Sequence, residues 1–184
     1  MPDPAPVDPD EPPLQQVELT LGAGDDRTVV HLAGAWLEDD GSGHGTATTA
    51  EVAGSPPLVV KGDRSRWRLA DKVMVFEGHV EATRADVVLH CERLEVRYEG
   101  ERIREATATG KVRVTRGERR ASSAEAWLEA ATGRLVMTGE PRLAEGVNTM
   151  TGRTITLFLD DEAVECEACR LQVEGEAIAP ERPR

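Results

Sequence analysis

The chain has 184 residues, enough for one domain or a small pair, with charged residues at 30% and aromatic residues at only 3%. A core short of Phe, Tyr and Trp must be built from Val, Leu and Ala, which suits thin stacked strands better than a thick globule. The net charge of −12 argues against a nucleic-acid partner, whose phosphates need a basic face. No segment approaches the ~18 apolar residues of a membrane-crossing helix.

The charge is uneven. Residues 1–60 hold eleven acids against the single base Arg27, a net of −10, which leaves −2 for residues 61–184. Residues 1–13 contain six Pro and four Asp or Glu and read as a stiff, solvated tether. This start lacks the basic and apolar regions of a signal peptide. An exported protein trimmed of its leader or anchor begins this way, and so does a cytoplasmic protein with a disordered tail.

From Val17 onward, short runs alternate apolar and polar residues with the period of half-buried strands. In chain order they are Val17–Leu21, Val73–Glu77, Val80–Ala82, Leu94–Tyr98, Lys111–Thr115, Thr154–Leu159 and Leu171–Val173. The best helix candidate, residues 122–131, is cut short by Thr132-Gly133 and reads as well as a strand plus turn. Aligned glycines reveal a repeat of about thirty residues: Phe76-Glu-Gly78-His-Val, Ala108-Thr-Gly110-Lys-Val and Met137-Thr-Gly139-Glu-Pro. Each is expected to mark a turn followed by a strand. A second motif follows each one, at Leu89–Val96, Ala121–Leu128 and Met150–Leu157, and a weaker copy precedes them at Ala47–Val52. Such a unit cannot bury its apolar face alone and must stack on its neighbours.

The repeat, in Val75-Phe-Glu-Gly-His-Val-Glu-Ala-Thr, in Ala108-Thr-Gly-Lys-Val-Arg-Val and in Ala124-Glu-Ala-Trp-Leu through Thr138-Gly-Glu-Pro-Arg-Leu, resembles the OstA-like unit of the LptA and LptC bridge proteins of lipopolysaccharide transport. The likeness is strong over 73–175. Residues 14–72, from Val30-His-Leu-Ala-Gly-Ala-Trp to Trp67-Arg-Leu-Ala, are closer in style to LptC. The resemblance implies an all-β fold: an elongated, antiparallel, open β-jellyroll ("β-taco") of stacked strand-pair repeats. It would form a single domain over 14–178, LptC-like over 14–72 and LptA-like over 73–178, with a tail at 179–184. It further implies a non-enzymatic periplasmic protein, free or tethered to the inner membrane, that carries lipopolysaccharide toward the outer membrane. Its partners would be lipopolysaccharide acyl chains and other bridge proteins or itself, joined end to end by edge-strand pairing. No cofactor is implied.

Parity within each strand assigns inward, groove-lining positions to Val73, Val75, Val80, Ala82, Leu89, Cys91, Leu94, Val96, Val112, Val114, Leu135, Met137, Ile155, Leu157 and Leu159. The same alternation would serve a filled sandwich core, so a structural solenoid or filament module is the competing reading. From the basic clusters, Arg66, Arg68, Arg113 and Arg116 are candidates for a rim that engages lipid phosphates. Alternating charge on a strand's solvent face is the commoner explanation for such clusters. A carbohydrate-active protein would need clustered exposed aromatics, whereas Trp36, Trp67 and Trp127 are far apart in sequence.

Cys166-Glu-Ala-Cys169 has redox or metal spacing, but no second pair or nearby His completes a zinc site. Within a strand its sulfurs would face opposite ways, disfavouring a disulfide unless a turn intervenes. Cys91 is isolated and expected in the core. His31, His44, His79 and His90 are scattered without metal spacing. Asp160-Asp161-Glu162 sits where the repeat demands a hairpin turn. No phosphate loop, nucleophile elbow or Ser/His/Asp arrangement is present.

Overall fold

The computed structural model describes residues 14–21, 27–54, 56–100 and 102–173. The tether expected over 1–13 and the tail expected over 179–184 lie outside the described residues. Eight strands follow one another as a meander: β1 (Leu14–Leu21), β2 (Thr28–Leu37), β3 (Gly43–Val52), β4 (Leu58–Arg68), β5 (Val73–Arg84), β6 (Val87–Glu99), β7 (Arg102–Arg116) and β8 (Arg119–Glu129). Six shorter ones complete a fourteen-stranded sheet: β9 (Arg134–Thr138), β10 (Arg142–Glu145), β11 (Asn148–Thr151), β12 (Thr154–Phe158), β13 (Val164–Glu167) and β14 (Arg170–Gln172). Every pairing is antiparallel. The helix candidate at 122–131 is the second half of β8 and its turn.

The long strands bend near their middles, where the ladder register shifts between Lys61 and Arg64, Glu77 and Val80, His90 and Arg93, and Thr109 and Val112. On alternate strands the bend falls at a residue pair with positive φ, Gly78-His79 in β5 and Gly110-Lys111 in β7. An extra residue in a ladder kinks the strand and steepens its twist. The glycines expected at turns therefore lie inside single strands. Only the third copy is interrupted: after Gly139-Glu140 comes Pro141, which has no N–H for the ladder, and the strand divides into β9 and β10.

The bends divide the sheet into two facing layers. The upper layer contains Leu58–Lys61, Val80–Cys91 and Val112–Ser123, and continues through β10, β11 and β14. The lower layer contains Arg64–Glu77, Arg93–Thr109 and Glu125–Glu129, and continues through β9, β12 and β13. β8 splits between them, with Arg119–Ser122 pairing with β10 and Glu125–Glu129 pairing with β9. Each thirty-residue repeat is thus one hairpin of two bent strands.

Next to the bends the space between the layers is filled. Phe76, Val80, Cys91, Val112, Met137 and Ile155 are all buried there. A buried polar pair in this region is satisfied internally, Thr48 Oγ1 lying 2.8 Å from Ser65 Oγ. Glycines in β3 make room for large neighbours, since a Cβ at Gly45 would clash with Leu32 and one at Gly43 with Trp67.

Parity fails in one place. Val73 pairs with Arg68 and Arg97, and Val75 with Arg66 and Glu95, so both sit on the outer face of the lower layer. The inward positions belong to Met74 and Phe76, which pair with Trp67, Val96, Ser65 and Leu94. β5 runs through Gly78 without changing phase, so Met74, Phe76, Val80 and Ala82 share one face. Val73 and Val75 are buried under a chain of ion pairs instead: Arg66–Glu77 (2.8 Å), Arg93–Glu77 (2.6 Å), Arg93–Glu95 (3.2 Å) and Arg97–Glu95 (2.9 Å), whose aliphatic stems cover apolar surface.

Candidate ligand groove

Away from the bends the layers part and enclose a cavity of about 570 Å³ that opens between the hairpin turns. In the lower layer its wall is a ladder of small and medium side chains. Val96, Ala106 and Leu128 form one rung, and Leu94, Ala108 and Ala126 the next. The facing wall in the upper layer is Ala82, Leu89 and Val114. Alanine in both rungs leaves unfilled volume between the layers, so the space stays open.

Of the inward positions expected from sequence, Ala82, Leu89, Leu94, Val96, Val114, Leu135 and Leu159 line this cavity. Val80, Cys91, Val112, Met137 and Ile155 lie inward but in the filled zone beside the bends. Leu157 lines a much smaller adjoining space. Val73 and Val75 are outside. The lining residues that escape the sequence reading include Ile103, Ala106, Ala108, Ala126 and Leu128. Over 106–109 the reason is that alanine alternating with threonine gives a weak apolar signal. The register that pairs Ala108 with Leu94 is the feature that identifies them.

The upper layer ends at the mouth in a row of inward-parity residues: Leu58, Arg84, Val87, Arg116, Arg119 and Glu145 pair in that order across β4, β5, β6, β7, β8 and β10. Of the four rim arginines expected from sequence, Arg116 alone lies in this row. Arg66 and Arg68 face outward and pair with Glu77 and Asp71, while Arg113 is exposed between the buried Val112 and Val114. Arg84 and Arg119, which the basic clusters did not single out as rim residues, join Arg116 at the lip.

The turn between β12 and β13 crosses the mouth to this row. Arg116 donates from Nη1 to the Asp161 carbonyl at 2.6 Å and from Nε to Asp86 Oδ2 at 3.1 Å. Arg119 donates from Nη1 to the Glu162 carbonyl at 2.7 Å and from Nε to Glu145 Oε1 at 3.0 Å. Arg84 Nη1 is 3.7 Å from Asp160 Oδ1. The Asp160–Glu162 cluster is thus the hairpin turn expected of it.

Cys166 and Cys169 form a disulfide. Ala168, with φ of 55°, supplies the intervening turn that brings the sulfurs together. Cys91 is the third cysteine, free and buried, and burial pushes its thiol up to about 12. Partial burial pushes the Glu77 carboxyl up, but Arg66 and Arg93 outweigh it and hold the pKa below the ordinary value. Burial likewise raises Tyr98 to about 12. Among the described residues no three His, Cys, Asp or Glu side chains come together as a metal site. His79 instead pairs with Asp63 at 2.7 Å over the Gly78 bend.

Residues 59–163 match the family described as LptA/(LptD N-terminal domain) LPS transport protein. No curated protein matches the chain. Among solved structures, one similar fold is that of LptH, described as the LptA homologous periplasmic component of the conserved lipopolysaccharide transport device from Pseudomonas aeruginosa. The match has 17% identity and a TM-score of 0.57, and covers 71% of this chain and 92% of that one. The meander of bent strands is therefore the open β-jellyroll shared with that structure, and the chain belongs to the LptA/LptD N-terminal domain family of lipopolysaccharide transport proteins.

Proposed function

We propose that this protein is a non-enzymatic periplasmic carrier that holds the acyl chains of lipopolysaccharide in the cavity between its two layers and passes them toward the outer membrane. The observation that carries this reading is the cavity itself: apolar side chains of both layers face an open space of about 570 Å³ in a member of a lipopolysaccharide transport family. That volume falls within the range of ligand sites, roughly 300–1,000 Å³. Each methylene moved from water into it contributes about 0.8 kcal/mol. Transfer needs no bond chemistry, because the rungs along which an acyl chain slides, Val96, Ala106 and Leu128 and then Leu94, Ala108 and Ala126, are apolar, and Arg84 and Arg116 stand at the mouth.

Two further features support the reading. A disulfide persists in an oxidising compartment, which fits Cys166–Cys169 in the periplasm. Among the described strands, β1 at one end and β13 and β14 at the other have a ladder partner on one side only. Such edges are templates for strand addition, and end-to-end pairing with another copy or another bridge protein would join one cavity to the next.

Photocrosslinking amino acids at Leu94 and Val114, inside the cavity, and at Val75, on the outer face, test the proposal in Gram-negative cells. Lipopolysaccharide adducts are expected at the first two positions and not the third. Absence of adducts at both inward sites, with the protein correctly folded, would leave the filled assembly module as the better reading.

A further inference from the structure

The cavity does not run the full length of the sheet. Toward β10 the inward surface of the upper layer, Val87, Val114, Ala121 and Leu143, is covered by Leu157, Leu159 and Val164, and only about 30 Å³ remains open. These covering residues flank the β12–β13 turn, whose backbone hangs from Arg116 and Arg119 and whose Asp160 faces Arg84. The hairpin tip therefore combines apolar side chains pressed into the groove with an acidic end held by arginines at the lip. That is the two-part chemistry of an amphipathic anion.

We propose that the β12–β13 tip is a displaceable internal occupant of the groove. A ligand with an apolar chain and a phosphate or carboxylate head competes with it, the chain entering where Leu157 and Val164 lie and the head taking its place on Arg84 and Arg116. The inference rests on the groove reading above and adds a gate to it, because a chain moving toward β13 and β14 must first lift the tip. The geometry suits exchange. Asp160 and Asp161 are exposed, and Phe158 N to Ala163 O at 3.2 Å and Leu159 N to Gly133 O at 2.8 Å are the backbone hydrogen bonds nearest the turn. Asp86 and Glu145 hold the Nε edges of Arg116 and Arg119, which leaves their Nη1 groups directed at the tip. Displacement would then present aligned donors to an incoming anion.

Decyl phosphate and decanol, which share a chain and differ in the head, serve as probes of the full chain by titration calorimetry. Val164→Ala weakens the plug without touching the larger cavity. It is expected to speed hydrogen exchange over 158–164 and to tighten both probes about three- to tenfold, since a less occupied groove is more often competent. Leu157→Ala is the second plug variant should the first fold poorly. Arg84→Ala/Arg116→Ala is expected to lower the ratio of phosphate to alcohol affinity about tenfold, a ratio that tip loosening alone leaves unchanged. Faster exchange with both affinities unaltered, or an unchanged ratio in the arginine variant, overturns the inference while probe capture at Leu94 keeps the groove reading intact. Failure of both probes to bind, with nothing captured at Leu94, overturns the two together.

Discussion

The Cys166–Cys169 disulfide spans Ala168, with the two Cα atoms 5.8 Å apart, at the place in its strand pair that Gly78, Gly110 and Gly139 occupy in the earlier ones. Through that bend the chain passes from β13 in the lower layer to β14 in the upper one. An alanine holds a left-handed backbone at a cost of about 1–2 kcal/mol where glycine holds it freely, and the covalent link offsets that cost by restricting the unfolded chain.

The arrangement fixes a thiol inventory. Cys91 is buried and its thiol is raised to about 12, so almost no thiolate is available near neutrality. Native protein should give no reactive thiol with a thiol-quantifying reagent at pH 8. Denaturant alone should release one, and denaturant with reductant three. A reactive thiol in the native protein would place Cys91 outside the core.

Glycines in this chain are not equivalent. At Gly110, φ is +79° and a new Cβ would lie 2.8 Å from the Cβ of Glu92, a rigid neighbour on the adjacent strand. At Gly117, φ is +56° but nothing lies within 4 Å. Gly117→Ala should therefore cost only the backbone term, about 1 kcal/mol. Gly110→Ala adds overpacking at the bend and should cost about 2–4 kcal/mol. Urea unfolding of both variants makes the comparison, and equal costs would mean that the bend yields freely.

Glu77 couples the outer face of the lower layer to pH. Its pKa lies below the ordinary value because Arg66 and Arg93 overcome the effect of burial. A depressed carboxylate contributes stability that is fully present above its unfolded pKa and is lost as pH falls through the folded one. With a side chain 28% exposed, Glu77→Gln should lower stability by about 1 kcal/mol at pH 7. The gap between wild type and variant should close as the pH drops below the ordinary carboxylate range. A gap that stays constant down to pH 3 would show that the charge of Glu77 is not what the two arginines read.

Much of this architecture is legible in the chain because alternation and the thirty-residue repeat both report hairpins. The bends are less so. Gly78-His79 looks like a two-residue turn, and only the even spacing from Phe76 to Val80 signals that the strand continues in phase. Val73 to Phe76 is apolar at four successive positions and so carries no phase at all. The lip is half visible: Val112, Val114 and Arg116 share one parity, so the arginine that ends the run had to face the mouth. Arg84 and Arg119 fall in that row only through cross-strand register, which a single sequence does not display. The opening of the cavity depends on Ala106, Ala108 and Ala126, whose contribution is the volume they leave empty.

The phase of β5 can be tested with one chemistry at two sites. Val80 is fully buried and faces Cys91 across the inner surface, whereas Val75 lies outside between Arg66 and Glu95. Threonine has nearly the shape of valine and adds one hydroxyl. At position 80 that hydroxyl enters a wholly apolar neighbourhood, and burying it without a partner costs about 1–3 kcal/mol. At position 75 the same group meets charged side chains with donors and acceptors to spare, so Val75→Thr should stay within about 0.5 kcal/mol of wild type. Had the strand changed phase at Gly78, as an alternation broken at that glycine implies, both valines would face inward and the two variants would lose the same stability. Midpoints of urea unfolding, compared at unchanged slope, distinguish the two arrangements without any ligand present.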